Sequence, residues 1–202
     1  MIPRLLIIAE RGYCRDTTSW ITTIERLWTI LPQYPTVSLQ VRNKLSLQDW
    51  TAIEDHLRLW VDLYPEQCMI NGTLFPDLTM ARHLPENTLY AKPHNHPLWG
   101  TSIHSLEALH RAESLKVDYL QYGAIFPTSK PVTPLGLPAL QNICTHSSLP
   151  VLAVGGINTV QRVGQCLKHG AYGLSVGSWI LQASDPQPII EQILSEIDRH
   201  SL

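Results

Sequence analysis

The sequence has no C-x-x-C pair, no apolar run of membrane length, no basic excess and no internal repeat, and each absence narrows what it can do. Its four cysteines, Cys14, Cys68, Cys144 and Cys166, stand far apart. That spacing offers neither a zinc site nor a disulfide frame, so reduced thiols and a cytoplasmic location are expected. No apolar stretch approaches the roughly 20 residues that span a bilayer, so no membrane partner is expected. The opening run MIPRLLIIAERGY is too short for the core of a signal peptide and meets charge at once, so it reads as a first strand. A net charge of −2 gives no dominant basic field, which speaks against nucleic acid as a partner. An anionic ligand would need a local cluster of cations instead. With no low-complexity tract or linker, residues 1–202 read as a single domain, and 44% hydrophobic residues can furnish an ordinary core.

What is present is an alternation of strand-like and helical patterns, the mark of parallel α/β architecture. Strands are expected at Arg4–Ala9, Thr36–Val41, Cys68–Asn71, Thr88–Ala91, Leu98–Thr101, Tyr119–Tyr122, Pro150–Val154 and Gly173–Val176. Helices are expected at Thr18–Leu31, Ser46–Leu63, Leu106–Leu115, Leu137–Thr145, Val160–His169 and Pro188–His200, with a short one at Asp77–His83. Trp28, Trp50 and Trp60 fall at helical spacing and read as helix–barrel packing. Eight strands in about 200 residues make a small TIM (β/α)8 barrel. Only Lys92–Pro97 separates the fourth and fifth expected strands, which is too short for a crossover helix, so either the fourth helix is short or missing or the strand assignment is wrong.

Function in such a barrel sits at the C-terminal strand ends. The most informative stretch is Val151–Ser178, two apolar strands that each end in small residues around one amphipathic helix. Gly155 and Gly156 close the first strand, Gly177 and Ser178 the second. Backbone without bulky side chains lets a phosphate approach the amide N–H groups, and these are the two loops where a barrel usually holds one. Strand two ends in Gln40-Val41-Arg42-Asn43-Lys44. Alternation puts Gln40, Arg42 and Lys44 on one side, a set suited to phosphate or pyrophosphate; a solvated loop is the plainer alternative. Asn71, Ser102 and the loop Thr128-Ser129-Lys130 join the same mouth, and His104 is the candidate acid–base residue. His94-Asn95-His96 offers two histidines without a third ligand and reads as a surface turn between prolines, so no metal site is expected.

These pieces resemble the thiamine phosphate synthase and TenI thiazole tautomerase family. The resemblance rests on S-I-H-S, V-D-Y-L-Q-Y-G-A-I-F-P-T-S-K, G-L-P-A-L, L-P-V-L-A-V-G-G-I and H-G-A-Y-G-L-S-V-G-S-W-I, in that order, and on Q-V-R-N-K for the family's Q-x-R-x-K. It implies a TIM barrel, commonly dimeric, that works on a small thiazole phosphate in thiamine biosynthesis. It would place the thiazole phosphate on Gly156, Gly177 and Ser178. Gln40, Arg42, Lys44, Asn71, Ser102 and Lys130 would lie on the pyrimidine-pyrophosphate side of a synthase.

The sequence departs from the synthase pattern where that pattern binds magnesium. The family's Asn-Asp after strand three is Asn71-Gly72 here. A second aspartate belongs in a Gly-x-His-Leu-Gly-like stretch after strand four, expected here at Leu89–Pro93, where there is no carboxylate. Asn-Gly resembles the tautomerase branch, but that branch's acid–base histidine is replaced by Ala124, which moves no proton. Three readings follow. The first is a TenI-like protein that binds a thiazole phosphate and tautomerises it, with no cofactor. The second is a thiamine phosphate synthase, the one reading that calls for Mg²⁺. The third is a non-catalytic relative that keeps the phosphate pocket alone.

Overall fold

The computed structural model describes residues 1–88, 96–129 and 131–200. Eight parallel strands close into one barrel in sequence order, each hydrogen-bonded to the next and β8 to β1. They are β1 (Leu5–Glu10), β2 (Val37–Arg42), β3 (Cys68–Asn71), β4 (Ala81–Leu84), β5 (Trp99–Ile103), β6 (Tyr119–Tyr122), β7 (Val151–Val154) and β8 (Gly173–Val176). The helices are α1 (Thr17–Trp28), α2 (Leu47–Leu63), α3 (Leu106–Ser114), α4 (Gly136–His146), α5 (Val160–Lys168), the single turn α6 (Ser178–Leu181) and α7 (Gln187–Arg199). Four begin with a side-chain oxygen accepting a backbone N–H: Asp16, Ser46, Ser105 and Thr159. No helix among the described residues is long and apolar enough to cross a membrane.

The pleat sorts each strand into two faces. Leu5, Ile7 and Ala9 of β1 face outward into the large core shared with the helices, as do Val37, Leu39 and Val41 of β2. Trp20, Trp28, Trp50 and Trp60 belong to that core. Trp28 stacks on Tyr64 with ring centroids 4.4 Å apart, which bears out the packing reading of the tryptophans. A second, smaller cluster fills the barrel itself: Leu6, Met69, Ala81, Leu98, Tyr119 and Leu152. The Tyr119 ring needs the space at Gly100, where a Cβ would lie 2.2 Å from it.

Two expectations are corrected. Asp77–His83 is not a helix: β4 occupies Ala81–Leu84 and pairs with Met69–Asn71 on one side and Trp99–Thr101 on the other. The fourth strand is therefore not Thr88–Ala91. Thr88 ends a 3₁₀ turn, Glu86–Thr88, and residues 89–91 lie outside the described residues. The short helical pattern lost to tertiary pairing, because only a strand there completes the barrel. Among the described residues only that 3₁₀ turn follows β4 before β5. The link from β3 to β4 carries no helix either.

Arg82 takes over the work of a helix in the β3–β4 link. Its side chain leaves the outer face of β4 and is 1% exposed. The guanidinium donates to the carbonyls of Gly72 (3.2 Å), Leu74 (2.7 Å), Phe75 (2.5 Å) and Leu78 (3.4 Å), and Nε lies 3.0 Å from His96 Nε2. His96 is thus held by an arginine; His94 and Asn95 of the suspected turn lie outside the described residues. A loop without helix hydrogen bonds needs partners for the carbonyls it turns inward, and one buried, planar five-donor group supplies them. Arg82→Ala leaves these carbonyls unpaired, and urea unfolding is expected to show a loss of about 3 kcal/mol. A change under about 0.5 kcal/mol would contradict this role.

Candidate functional site

The C-terminal ends of the strands surround a cleft of about 710 Å³. One wall is glycine-rich. Gly155 and Gly156 follow β7 with φ of +97° and +69°, and Gly177 and Ser178 follow β8; all four line the cleft. A Cβ on Gly156 would lie 2.5 Å from the Pro127 carbonyl oxygen, and one on Gly155 would lie 2.6 Å from Ala124. So the β6 loop presses directly on the β7 loop, and only glycine permits the contact. Arg162 of α5 fixes the arrangement by donating to the Gly156 carbonyl (2.6 Å) and the Asn158 Oδ1 (2.8 Å), with its guanidinium over the Phe126 ring. Thr128 and Ser129 reach the same cleft; Lys130 lies outside the described residues.

The opposite wall is cationic. Arg42, Lys44, Asn71, Ser102 and His104 line the cleft and also an adjoining hollow of about 580 Å³ that Glu86 and Arg111 complete. Arg42, the last residue of β2, donates to Glu10 at 2.6 Å, and Glu10 is the last residue of β1. Gln40 faces inward as alternation predicts but is fully buried beneath the mouth, where its Oε1 accepts from Asn71 Nδ2 at 3.3 Å. It supports Asn71 and does not line the cleft.

His104 stands just past β5 and is 59% exposed in its side chain, with Nδ1 2.7 Å from Glu86 Oε2. Arg111 approaches the other oxygen of Glu86 at 3.4 Å. Here the re-placed strand changes the reading of the sequence. The His-Leu pair of the synthase pattern falls on His83-Leu84, the last two residues of β4, and not at Leu89–Pro93, and a carboxylate, Glu86, does follow it.

These residues do not make a magnesium site. Gly72 follows Asn71 where an acidic ligand would be needed, and Glu10 and Glu86 are each tied to cations. Among the described residues no three His, Cys, Asp or Glu side chains converge on a point that could hold a metal.

Several polar residues of the interior escaped the sequence reading. His83 is fully buried, with Nδ1 3.1 Å from the Tyr119 hydroxyl and Nε2 2.9 Å from Ser102 Oγ. It thus braces a cleft residue from below. Gln121 and Ser175 line the cleft floor at 4% and 2% exposure. The signal for His83 was the length of the next link: a strand at Ala81–Leu84 leaves room for a crossover, whereas one at Thr88–Ala91 does not.

Burial, and then the charge of Arg42, push the His83 imidazole down to about 3 from an ordinary value near 6.5. Folding therefore favours the neutral ring. That contribution is complete above pH 6.5 and is lost as pH falls from there towards 3, at up to about 1.4 kcal/mol per pH unit. Between pH 6 and 4, wild type is expected to lose stability more steeply than His83→Gln; parallel curves would contradict a neutral buried imidazole. Gly156→Ala, with both a forbidden φ and a collision, is expected to cost about 1–3 kcal/mol in the same assay.

Comparison with known proteins places the chain. Residues 82–180 match the family described as thiamine monophosphate synthase. A thiamine-phosphate synthase of Pyrococcus abyssi is 38% identical over 101 residues, 49% of this chain and 48% of that protein. A putative thiamine-phosphate synthase 2 of Aquifex aeolicus is 34% identical over 193 residues, 90% of this chain and 99% of that protein. The matched part thus spans about half the length of several curated relatives and nearly all of one. Among solved structures, a thiamine phosphate pyrophosphorylase from Pyrococcus furiosus superposes with TM-score 0.68 at 24% identity, covering 98% of this chain and 96% of that one. A 3-hexulose-6-phosphate synthase from Salmonella typhimurium gives 0.70 at 13% identity, with 98% and 99% covered. At such identities the structures speak for the barrel alone.

Proposed function

The chain belongs to the thiamine phosphate synthase/TenI family, and from that membership we propose that its cleft takes a thiazole phosphate in thiamine biosynthesis and joins it to a pyrimidine pyrophosphate. One observation carries this reading: a single cleft has two anion-friendly ends. The glycine-serine loops after β7 and β8 offer backbone N–H groups, and Arg42 and Lys44 offer positive charge across from them. Two phosphorylated reactants side by side need both ends; isomerisation of one phosphate needs only the first.

The phosphate of the thiazole ring sits at Gly156, Gly177 and Ser178, where α6 begins. Thr128 and Ser129 cover it from the β6 loop. The pyrophosphate lies towards Arg42, Lys44 and Asn71. When it departs, negative charge grows on its oxygens, and fixed cations at that spot lower the barrier without reorganising. Since the donor set fits no resident magnesium, the cationic side chains that line the mouth, Arg42, Lys44 and Arg111, carry that charge. Four free thiols suit a reducing compartment such as the cytoplasm.

Tautomerisation of a thiazole carboxylate phosphate is the second reading. Asn71-Gly72 and the missing metal carboxylates support it. Against it stand Ala124 at the place of a proton carrier, and a His104 that is exposed and held by Glu86.

The test is direct. Purified protein with both phosphates is expected to form thiamine phosphate, and Lys44→Ala and Ser178→Ala are each expected to lower kcat/KM by about tenfold. Aromatisation of the carboxylate phosphate without coupling would transfer the conclusion to the tautomerase. Binding without either turnover would leave a phosphate-binding relative.

A further inference from the structure

A tyrosine from the link after β1 stands between the two anion-friendly ends of the cleft. Tyr13 closes the 3₁₀ turn Arg11–Tyr13 and lines the cleft. Its ring meets the glycine end: a Cβ on Gly177 would lie 2.8 Å from Tyr13 Cε2 and 3.6 Å from Cδ2. The hydroxyl at the tip of that ring lies in the fields of Glu10 and Arg42, the ion pair that ends β1 and β2. One side chain therefore reaches from the loop after β8 to the cationic wall. β1 pairs with β8, so this contact needs no reach across the barrel.

The turn that carries Tyr13 is braced from α2. Arg11 donates to the Cys14 carbonyl at 3.0 Å and to Asp49 Oδ1 at 3.2 Å, and the Thr17 hydroxyl donates to the same carboxylate oxygen. Arg11 and Asp49 are both largely buried, so salt screens the pair weakly. The Tyr13 ring packs against the core at its other side. A donor held this way loses little freedom when a ligand arrives.

The chemistry of the phenol fits an anion. Burial, and then the negative charge of Glu10, push its ionisation above the usual value near 10, with Arg42 opposing. The group therefore keeps its proton at neutral pH and can only donate to a fully ionised phosphate oxygen. Such a bond to an oxyanion is charge-assisted and stronger than one between neutral partners. Glu10 does not repel the ligand as a bare charge, since Arg42 donates to it at 2.6 Å.

We propose that Tyr13 is a phosphate-binding residue, whose hydroxyl donates a hydrogen bond to an oxygen of the phosphate held on the loops after β7 and β8. The inference rests on the phosphate site proposed above and adds to it a side-chain donor from β1. It also explains what glycine supplies at position 177: room for the ring that carries this donor.

The test titrates wild type and Tyr13→Phe with inorganic phosphate and with thiazole phosphate. Phenylalanine keeps the ring against Gly177 and removes the hydroxyl alone. Backbone amide shifts at residues 155–158 and 176–178 report affinity. Tyr13→Phe is expected to bind each phosphate about tenfold more weakly. In protein carrying ¹³C at the tyrosine Cζ, the resonance missing from Tyr13→Phe is expected to shift with the same midpoint as the loop amides. A tyrosine that only supports the loop would leave that resonance in place. Binding of neither phosphate by wild type would sink the phosphate-site reading itself. Saturable binding at the loops with equal affinity in the two proteins, or with an unmoved Cζ resonance, would leave that reading standing and overturn this inference.

Discussion

Closure of eight parallel strands into one barrel is the constraint from which the rest follows. A closed sheet has no free edge, so the pleat alone decides which side chains meet inside. In this chain the inward positions change character along the axis. The lower ones carry Leu6, Met69, Ala81, Tyr119 and Leu152; the upper ones carry Gln40, Arg42, Asn71, His83, Ser102, Gln121 and Ser175. An apolar plug therefore supports a polar mouth. Each mouth residue is held by strand geometry, which gives a ligand site more precision than loops can.

Where loops do form the site, close approach fixes them. Gly155 and Gly156 let the β6 and β7 loops touch, and Arg162 ties the second of these loops to its helix. The helix-poor side is fixed differently: the guanidinium of Arg82 gives the carbonyls of Gly72, Leu74, Phe75 and Leu78 the donors that a helix would otherwise supply. The two halves of the mouth are thus held by backbone contact on one side and by a buried cation on the other. Such bracing suits a site whose proposed work is to hold two anions in place.

Much of this was legible in the sequence. Seven of the eight strands and the paired phosphate loops could be read because Val151–Ser178 is locally consistent at every level: apolar strand, small-residue turn, capped amphipathic helix, strand. Strand four could not be read, since Ala-Arg-His-Leu carries no apolar run, and its inward Ala81 and His83 take their meaning only from β3 and β5 on either side. The misplaced strand then hid Glu86 and moved the expected metal stretch to Leu89–Pro93. Lys44 and Arg42 reached the mouth as alternation suggested, while Gln40, on the same face, stops short of it because β2 rises two residues per inward step. Periodicity gives the side a residue faces but not its depth. The interior partners of His83 are likewise products of closure, invisible until strands distant in sequence stand side by side.

The central claim is that the loops after β7 and β8 bind the phosphate of a thiazole phosphate. Backbone amide spectra of the labelled protein, recorded during titration with thiazole phosphate, test it most directly. The account predicts saturable shifts concentrated at residues 155–158 and 176–178, which line the cleft side by side. Absence of saturable shifts, or shifts confined to other parts of the barrel, would contradict it.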